Sequence, residues 1–225
     1  LPAPTETLAL TYTFLVTEGP RGHTAVFHLQ KTVLRVAIAS VIGLVLSTVF
    51  GIAMATNATL EEGLSDWLPF WMTIPTVVII LISMIWFRFS EVSILFAVVV
   101  ASVPFGTVNL WEGMRDVDAS LVEMAHTFDA SDALVWQHVY VPHLMPYVFG
   151  SYRYILGMVW KIVALAEIFG IQNGIGAMFR FWYSQGSIIS LLAYLVIFIV
   201  VMLFVEYGLL KPIEERVFVW RTSGG

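Results

Sequence analysis

The chain contains no cysteine, few charged residues and no basic cluster. Without cysteine there can be neither a disulfide framework nor a thiol-bound metal. Charged residues make up only 12% of the chain, and the formal net charge is −5. A protein that binds nucleic acid normally carries a basic patch, so this balance argues against a nucleic-acid partner.

Apolar residues are abundant instead, at 59% of the chain, with a mean hydropathy of +0.85. Soluble domains are only about 45–50% apolar. A buried core helix of a soluble protein could explain one apolar run, but five runs in 225 residues leave too little polar surface to cover them. Each run reaches the ~20 residues that a helix needs to cross ~30 Å of hydrocarbon. The predicted spans are 36–60, 67–87, 92–111, 147–170 and 181–205. The sequence therefore predicts an all-α, polytopic membrane bundle.

Proline and glycine suggest how the chain is organised. The sequence predicts an extended initial stretch followed by a surface helix over residues 1–32, and the transmembrane domain over residues 33–225. The prolines inside the second and third spans are Pro69, Pro75 and Pro104. We expect kinks there, with neighbouring groups bonding the carbonyls that proline frees. The glycine-rich stretch 170–176 predicts a loop or re-entrant turn. Basic residues divide almost evenly between the two sides of the spans, so charge alone does not orient the chain.

A polar stretch separates the third and fourth apolar runs. Asp118 is a candidate N-cap for a helix with apolar residues at helical spacing. Those apolar positions are Leu121, Val122, Ala125 and Phe128. A helix of this kind is too polar to enter lipid and too apolar to remain free in water. It predicts a surface that docks on another protein, the alternative being a hairpin that rests on its own bundle.

A second short helix should follow this one. We expect Asp129-Ala130 to break the first helix and Ser131 to cap the second, over residues 132 to about 140. Pro142 should stop that helix, since proline lacks the backbone N–H that continues it.

The fourth span is the one that carries charge. Its ionisable residues are Arg153, Lys161 and Glu167. Such a group near a span centre costs ~2.5–3.5 kcal/mol on insertion scales, so it normally faces a cavity or a partner. Trp160 and Glu167 share a helical face, flanked by Gly157 and Ala164. We predict that Trp160, Lys161, Ala164 and Glu167 line a translocation path. The alternative is close helix packing at Gly157 and Ala164, with Glu167 bonded to a backbone or hydroxyl group.

The polar stretch resembles the EAA loop of ABC importer permeases, which has Glu-Ala-Ala, a Gly four residues on and a later hydrophobic-x-x-Pro. The matching segments here are Glu123-Met124-Ala125, Asp129-Ala130-Ser131 and Val139-Tyr140-Val141-Pro142. Other segments are similar to the nitrate, sulfonate and taurine branch of these permeases. They are Leu1-Pro2-Ala3-Pro4, Ile74-Pro75, Trp86-Phe87 and 164–176. The resemblance covers nearly the whole chain.

The resemblance implies a five-span type I importer core with a cytoplasmic coupling loop at about 112–146. It assigns ATPase coupling to Glu123, Met124, Ala125, Phe128, Asp129, Ala130 and Ser131. Two features depart from the family. Asp129 stands where members usually have glycine, and a further span that often precedes the Leu-Pro-x-Pro segment is missing, which we interpret as truncation.

The function that the resemblance implies is the permease subunit of an ATP-driven importer in the cell membrane, moving a small solute by alternating access. Expected solutes are anions such as a sulfonate, taurine, nitrate or bicarbonate, or a pyrimidine-type vitamin precursor. Expected partners are ABC ATPase subunits, a second permease copy, an external substrate-binding protein and membrane lipid. The chain has no Gly-Lys dipeptide and hence no P-loop lysine. We therefore expect no enzymatic activity or cofactor on this chain, with ATP and Mg²⁺ bound by the ATPase.

Two other functions stay open from the sequence. A stand-alone secondary transporter or channel could use Lys161 and Glu167 as coupling charges. A membrane-embedded enzyme would need a buried nucleophile or a metal set, and the sequence suggests neither. His138 and His143 are five residues apart without a completing carboxylate, so no metal site is expected.

Overall fold

The computed structural model describes residues 2–19 and 22–217. Leu1, Pro20, Arg21 and the end of the predicted transmembrane domain, after residue 217, lie outside the described residues. Every regular element in the described part is a helix, which confirms the all-α prediction. The α-helices are α1 (Pro4–Val16), α2 (Ala25–Thr56), α3 (Ala58–Leu64), α4 (Trp67–Met72), α5 (Thr76–Phe87), α6 (Glu91–Arg115), α7 (Ala119–Thr127), α8 (Asp132–Val135), α9 (Val141–Gly170), α10 (Ile175–Ser184), α11 (Ile188–Leu203) and α12 (Lys211–Val217). Two π-helical turns, Trp136–Tyr140 and Phe204–Leu210, join α8 to α9 and α11 to α12.

Three continuous helical stretches are long and apolar enough to cross a membrane, and the third of them joins α11, the second π-helical turn and the start of α12. They are Ala25–Thr56, Glu91–Arg115 and Ile188–Ile213. Two further stretches meet the same test as bent pairs. These are Ala58–Met72 with Thr76–Phe87, bent by 100°, and Asp132–Gly170 with Ile175–Ser184, bent by 50°. The described residues therefore give five spans when each bent pair counts as one.

The second predicted span, 67–87, is not one helix. It is interrupted at Thr73–Pro75, between α4 and α5. Proline has no N–H to donate and disfavours helical geometry at the residue before it, so Pro75 ends α4 and starts a new direction. With 12 residues, α5 is about 18 Å long, too short to cross ~30 Å of hydrocarbon alone.

Pro104, in contrast, lies inside α6 without ending it. Its missing N–H leaves the carbonyl of Val100, four residues earlier, without its usual helical donor. The indole N–H of Trp71 donates to that carbonyl oxygen at 3.2 Å. This confirms, for Pro104, the expectation that a neighbouring group bonds the freed carbonyl.

The start of the last span also differs from the predicted 181–205. Residues up to Ser184 belong to α10, and α11 begins at Ile188. The turn between them contains Gly186 at φ 68°, a conformation that glycine adopts without steric cost. This turn is the reason that one apolar run forms two helices.

The initial stretch is helical over Pro4–Val16 and not extended as predicted. Pro4 is the first helical residue, where an absent N–H breaks no helical bond. Helix α1 packs on α11: the Phe14 and Tyr194 ring centroids are 5.1 Å apart, and the Thr11 hydroxyl donates to the Ala193 carbonyl at 3.4 Å. One side of α1 is therefore part of a core.

The chain divides into two compact units. Unit 1 comprises Leu1–Ala37, Ile80–Ala97 and Trp160–Gly225, and unit 2 comprises Ile38–Ile79 and Val98–Val159. Unit 1 has an apolar core formed by Phe14, Ala25, Ile175, Met178, Ala193, Tyr194 and Ile197. In unit 2, a Cβ at Gly106 would lie 2.7 Å from both the Ile155 side chain and the Ser47 Cβ. Glycine there lets α6 approach its neighbours closely.

Candidate functional site

The first helix of the predicted coupling loop, α7, begins as the sequence predicts. The Asp118 carboxylate accepts the backbone N–H of Ser120 at 2.8 Å, the bond expected of an N-cap. Hydrogen bonds from the Ser120 side chain and backbone hold the pKa of Asp118 below its ordinary value. The cap fixes where the helix starts.

The end of α7 is a Schellman turn centred on Asp129. The Asp129 N–H donates to the His126 carbonyl at 3.0 Å, and the Ala130 N–H donates to the Ala125 carbonyl at 3.1 Å. This pattern requires a left-handed residue, usually glycine, just after the helix. Asp129 adopts that conformation at φ 55°. The positive φ that the family's glycine suggests is therefore present with an aspartate in place.

The second helix of the predicted coupling loop runs further than the sequence indicated. Ser131 is at the N-cap of α8, but its side chain makes no capping bond. Pro142 does not stop the helix, because the π-helical turn Trp136–Tyr140 connects α8 directly to α9. Within this turn the Val141 N–H reaches back five residues, to the Trp136 carbonyl. The change from four-residue to five-residue bonding just before Pro142 lets the chain pass a residue that cannot donate.

The apolar face of α7 is open in the single chain. Leu121, Met124 and Phe128 are 46%, 54% and 80% exposed. Val122, Ala125 and Ala130 are half-buried, and Glu123, Asp129 and Ser131 are exposed. Large apolar side chains at i, i+3 and i+7 on a short polar helix form a surface suited to a protein partner.

The residues predicted to line the path do not share one environment. Trp160, Ala164 and Glu167 are 2%, 8% and 0% exposed. The Trp160 ring packs edge-on against Phe198 at 5.6 Å. Neighbouring helices therefore fill the face that was predicted to be wet, and the path assignment of these three residues is corrected to interior packing. Lys161 points away from them and is exposed.

Glu167 belongs to a polar group that we call the ion cluster, formed by Thr32, Arg35, Glu91, Glu167 and Asn173, of which Thr32, Arg35 and Glu167 are buried. Arg35 is 3% exposed. Its Nε and Nη2 donate to the two Glu91 oxygens at 2.6 and 2.7 Å, and Nη1 donates to Glu167 at 2.5 Å. Nη1 also donates to the Asn173 carbonyl at 3.1 Å, and Nη2 to the Asn173 side-chain oxygen. These contacts account for all five N–H donors of the guanidinium.

The ion cluster also caps α10. The Gly176 N–H donates to Glu167 at 2.9 Å, and the Ile175 N–H donates to the Thr32 hydroxyl oxygen at 2.8 Å. The Thr32 hydroxyl in turn donates to Glu167 at 2.9 Å. A carboxylate is favourable at a helix N-terminus, because the unpaired N–H groups there carry partial positive charge. Glu167 is therefore held by an arginine, a hydroxyl and a helix end.

Reasoning from the sequence missed Arg35, Thr32 and Asn173. It did allow that Glu167 could bond a backbone or hydroxyl group, and the structure shows both kinds of bond. A usable signal was present, because a carboxylate within a span requires a compensating partner. Arg35, at the edge of the first apolar run, was the available cation on another span.

Lys161 lies on a different face of α9, with small neighbours. Gly150, Tyr154, Gly157 and Lys161 are all exposed and recur at spacings of three to four residues. A Cβ at Gly150 or Gly157 would meet nothing within 4 Å. In unit 2 the same face borders a cavity of about 380 Å³, whose lining includes Asn109 and Glu112. This face is free in the single chain.

Comparison with known proteins agrees with the helical architecture. The family model of the binding-protein-dependent transport system inner membrane component matches residues 31–217. The crystal structure of an amino acid ABC transporter with histidines has a TM-score of 0.71 at 16% identity, covering 92% of this chain and 96% of that one. An inward-facing structure of the MetNI methionine ABC transporter has a TM-score of 0.69 at 14% identity, covering 80% and 89%. At these identities the two structures show the fold alone.

Relatives of known sequence carry the identification further. A Bacillus subtilis (strain 168) protein described as a candidate aliphatic sulfonates transport permease is 26% identical over 99% of this chain and 79% of its own length. The taurine transport system permease protein of Escherichia coli (strain K12) is 23% identical over 98% and 80%. The chain thus belongs to the binding-protein-dependent transport system inner membrane component family, and it is a multi-pass permease subunit of an ABC importer.

Proposed function

We propose that this permease imports a small anion by alternating access, driven by ATPase subunits that dock on its coupling loop. ATP and Mg²⁺ would be held by those subunits, because the chain has no P-loop lysine. A substrate-binding protein would deliver the solute on the opposite side of the membrane. Importers of this family use both kinds of partner, and the name of the family states the dependence on a binding protein.

The exposed apolar face of α7 is the observation that carries the proposal. Leu121, Met124 and Phe128 present their side chains outward on a helix that is capped at Asp118 and turned at Asp129. A defined start and a defined end give this helix a fixed shape before it meets a partner. An apolar face on a rigid short helix favours insertion into a groove of the ATPase.

We propose further that two copies of the chain enclose the path between them. The support is the exposed face of α9 that carries Gly150, Tyr154, Gly157 and Lys161. Glycine on a membrane helix permits close approach of another helix. An exposed lysine on a span is costly to leave in lipid, so a wet space between two copies would suit Lys161.

Two observations support an anionic solute. Lys161 offers a positive charge on the proposed path. Relatives are named for aliphatic sulfonates and taurine, although another is named for formylaminopyrimidine, from Halalkalibacterium halodurans (strain ATCC BAA-125). A sulfonate is the solute class that we would test first.

The docking role is tested by placing a charge on the apolar side of α7. In Ala125→Arg, a half-buried alanine is replaced by a long cation, which should prevent seating in an apolar groove. We expect co-purification of the ATPase and ATP-driven uptake to fall by about tenfold or more, since desolvating an unpaired charge exceeds ~1.4 kcal/mol. The permease itself should reach the membrane in normal amount.

His126→Arg is the matched control, because it adds the same group at the next position, where the side chain is exposed. It should retain ATPase binding and uptake within about twofold, as expected for a surface change. Normal uptake by Ala125→Arg would contradict docking at this face. Uptake that persists without any ATPase and follows an ion gradient would establish the secondary transporter instead.

A further inference from the structure

Unit 1 contains an open cavity of about 520 Å³ that none of the roles above uses. Its lining residues are His23, Phe27, His28, Gln172, Asn173 and Arg180. The lining provides one guanidinium, two imidazoles and two amides, and among the described residues it includes no carboxylate. We propose that this cavity is a subsite for a small oxyanion, such as a sulfonate, carboxylate or phosphate group.

Arg180 is the charged group of the cavity. It is half-buried, and one Nη2 donor is bonded to the Ile171 carbonyl at 3.0 Å. In the part of the chain that the structure describes, the ion pairs involve Arg35 and Arg115 but not Arg180. A guanidinium that is half-shielded from water, and that has no carboxylate of the described residues within 4 Å, attracts an anion from outside the chain.

Hydrogen bonds from nearby residues determine which atoms of two lining residues, His28 and Asn173, can donate. The Gly174 N–H donates to His28 Nδ1 at 3.2 Å, so the neutral imidazole carries its proton on Nε2. Arg35 donates to the side-chain oxygen of Asn173, which leaves the NH₂ group on the other side of the amide. The ion cluster thereby sets the hydrogen-bonding polarity of a residue that lines the cavity. Donor groups around a cation are the arrangement that an oxyanion requires.

An apolar wall completes the cavity, and Lys31 lies near that wall without being one of the lining residues. The Phe27 ring stacks on His23 with centroids 4.1 Å apart, and Lys31 Nζ lies 5.8 Å from the Phe27 ring centre. A volume of about 520 Å³ is within the ~300–1,000 Å³ of small-ligand sites, so there is room for a short alkyl group beside the oxyanion. The class that fits is a short organic oxyanion.

The position along the chain gives this subsite a place in transport. Its loop residues, Gln172 and Asn173, follow α9, whereas the coupling loop precedes α9. Because α9 crosses the membrane, the two ends of the helix lie on opposite sides. The subsite is then on the side from which an importer receives solute, an assignment that rests on the proposed function.

The experiment measures anion binding directly on the purified permease, with any subunits that co-purify, in phosphatidylcholine nanodiscs. Calorimetric titration uses ethanesulfonate as the probe and ethyl methyl sulfone as its neutral analogue. We expect saturable binding of ethanesulfonate only. Arg180→Gln should weaken it by about tenfold or more, the loss expected for a charge-assisted hydrogen bond. Arg180→Lys, which keeps the charge without the fork, should fall between the two.

Arg88→Gln is the matched control, since Arg88 is exposed, belongs to the same unit and is not among the lining residues. It should change the affinity by no more than about twofold, because salt screens an exposed charge. Equal affinities of Arg180→Gln and Arg88→Gln would overturn the proposal, as would the absence of saturable binding to the wild type. Melting temperatures without the probe identify any variant that fails to fold. If Arg180→Gln fails to fold, the ethanesulfonate affinity of Arg180→Lys tests the proposal instead.

Two sources could supply the oxyanion, and nanodisc composition separates them. If adding phosphatidylglycerol competes with ethanesulfonate in the wild type but not in Arg180→Gln, the bound group is a lipid headgroup. If the affinity is unchanged, the bound anion is soluble. ATP-driven uptake is measured separately. If the wild type binds ethanesulfonate but does not take it up, the proposed function is contradicted and the subsite is not. If a variant loses binding but keeps normal uptake, the role of the subsite in transport is contradicted.

Discussion

The ion cluster and the proposed coupling loop are two polar regions of this apolar chain, and they are built in opposite ways. In the ion cluster, Arg35 and Glu167 are almost completely buried, and every guanidinium N–H has a partner. In the coupling loop, Phe128 and Met124 are largely exposed. The ion cluster pairs its charges within the chain, whereas the proposed coupling loop leaves large apolar side chains exposed.

The difference separates a structural role from a binding role. Charges inside a membrane domain persist only with partners, so the ion cluster stabilises the meeting of α2, α6, α9 and α10 within unit 1. An exposed apolar surface gains its stabilising contacts only when a partner binds to it. Changes in the ion cluster should therefore affect the permease alone, and changes in the coupling loop should affect its assembly with a partner.

The largest effect is expected from breaking the ion cluster at Glu167. Glu167→Gln keeps the shape of the side chain but removes the charge that faces Arg35 at 2.5 Å. Removing one partner of a buried ion pair costs ~3–5 kcal/mol, and Arg35 would keep only the half-exposed carboxylate of Glu91 as its counter-ion. We expect a lower melting temperature of the purified permease and less protein in the membrane.

Glu91→Gln is the control for this prediction, since the Glu91 side chain is 52% exposed. Its loss should be closer to ~1 kcal/mol, as for solvent-exposed pairs. The double variant Arg35→Met with Glu167→Gln should recover part of the loss, because the buried charge of Arg35 is removed together with that of its buried partner. Equal melting temperatures for Glu167→Gln and Glu91→Gln would show that burial does not distinguish the two carboxylates.

A smaller effect is expected at Asp129, and it should appear in assembly. Asp129→Gly keeps the Schellman turn and should bind the ATPase at least as well as the wild type, because glycine adopts φ 55° without cost. Asp129→Val should weaken ATPase binding, since a left-handed conformation costs ~1–2 kcal/mol for a residue with a Cβ and more for a β-branched one. Titration of the ATPase against the two purified variants measures the difference. Indistinguishable affinities would mean that the turn geometry does not matter for docking.

Features that depend on neighbouring residues were predictable from the sequence. The Asp118 cap, the end of α7 and the left-handed residue at Asp129 all arise within about a dozen residues. The bend at Pro75 is local in the same sense. Each reflects a backbone preference that tertiary packing did not override.

Features that depend on distant residues were not predictable. Arg35 and Glu167 are 132 positions apart, and no local pattern pairs them. Helical spacing correctly grouped Trp160 and Glu167 on one face of α9, but it did not show whether that face meets water or other helices. The charge of Glu167 suggested a water-filled path. In the structure, the buried guanidinium of Arg35 compensates that charge instead. The sequence also predicted a helix end at Pro142, whereas a π-helical turn carries the helix past that residue into α9.

Accessibility of position 161 tests the central claim, that ATP binding by a partner drives alternating access through this permease. The chain has no cysteine, so Lys161→Cys introduces a single reactive thiol on the exposed face of α9. The rate of modification by a small charged thiol reagent is measured in the nucleotide-free complex, with ATP and after trapping with vanadate. The account predicts that the rate changes by about tenfold or more between these states, because a path that opens and closes changes the access of water to its wall. A rate that is the same in all three states, together with normal uptake by Lys161→Met, would contradict the account and assign Lys161 to a static contact.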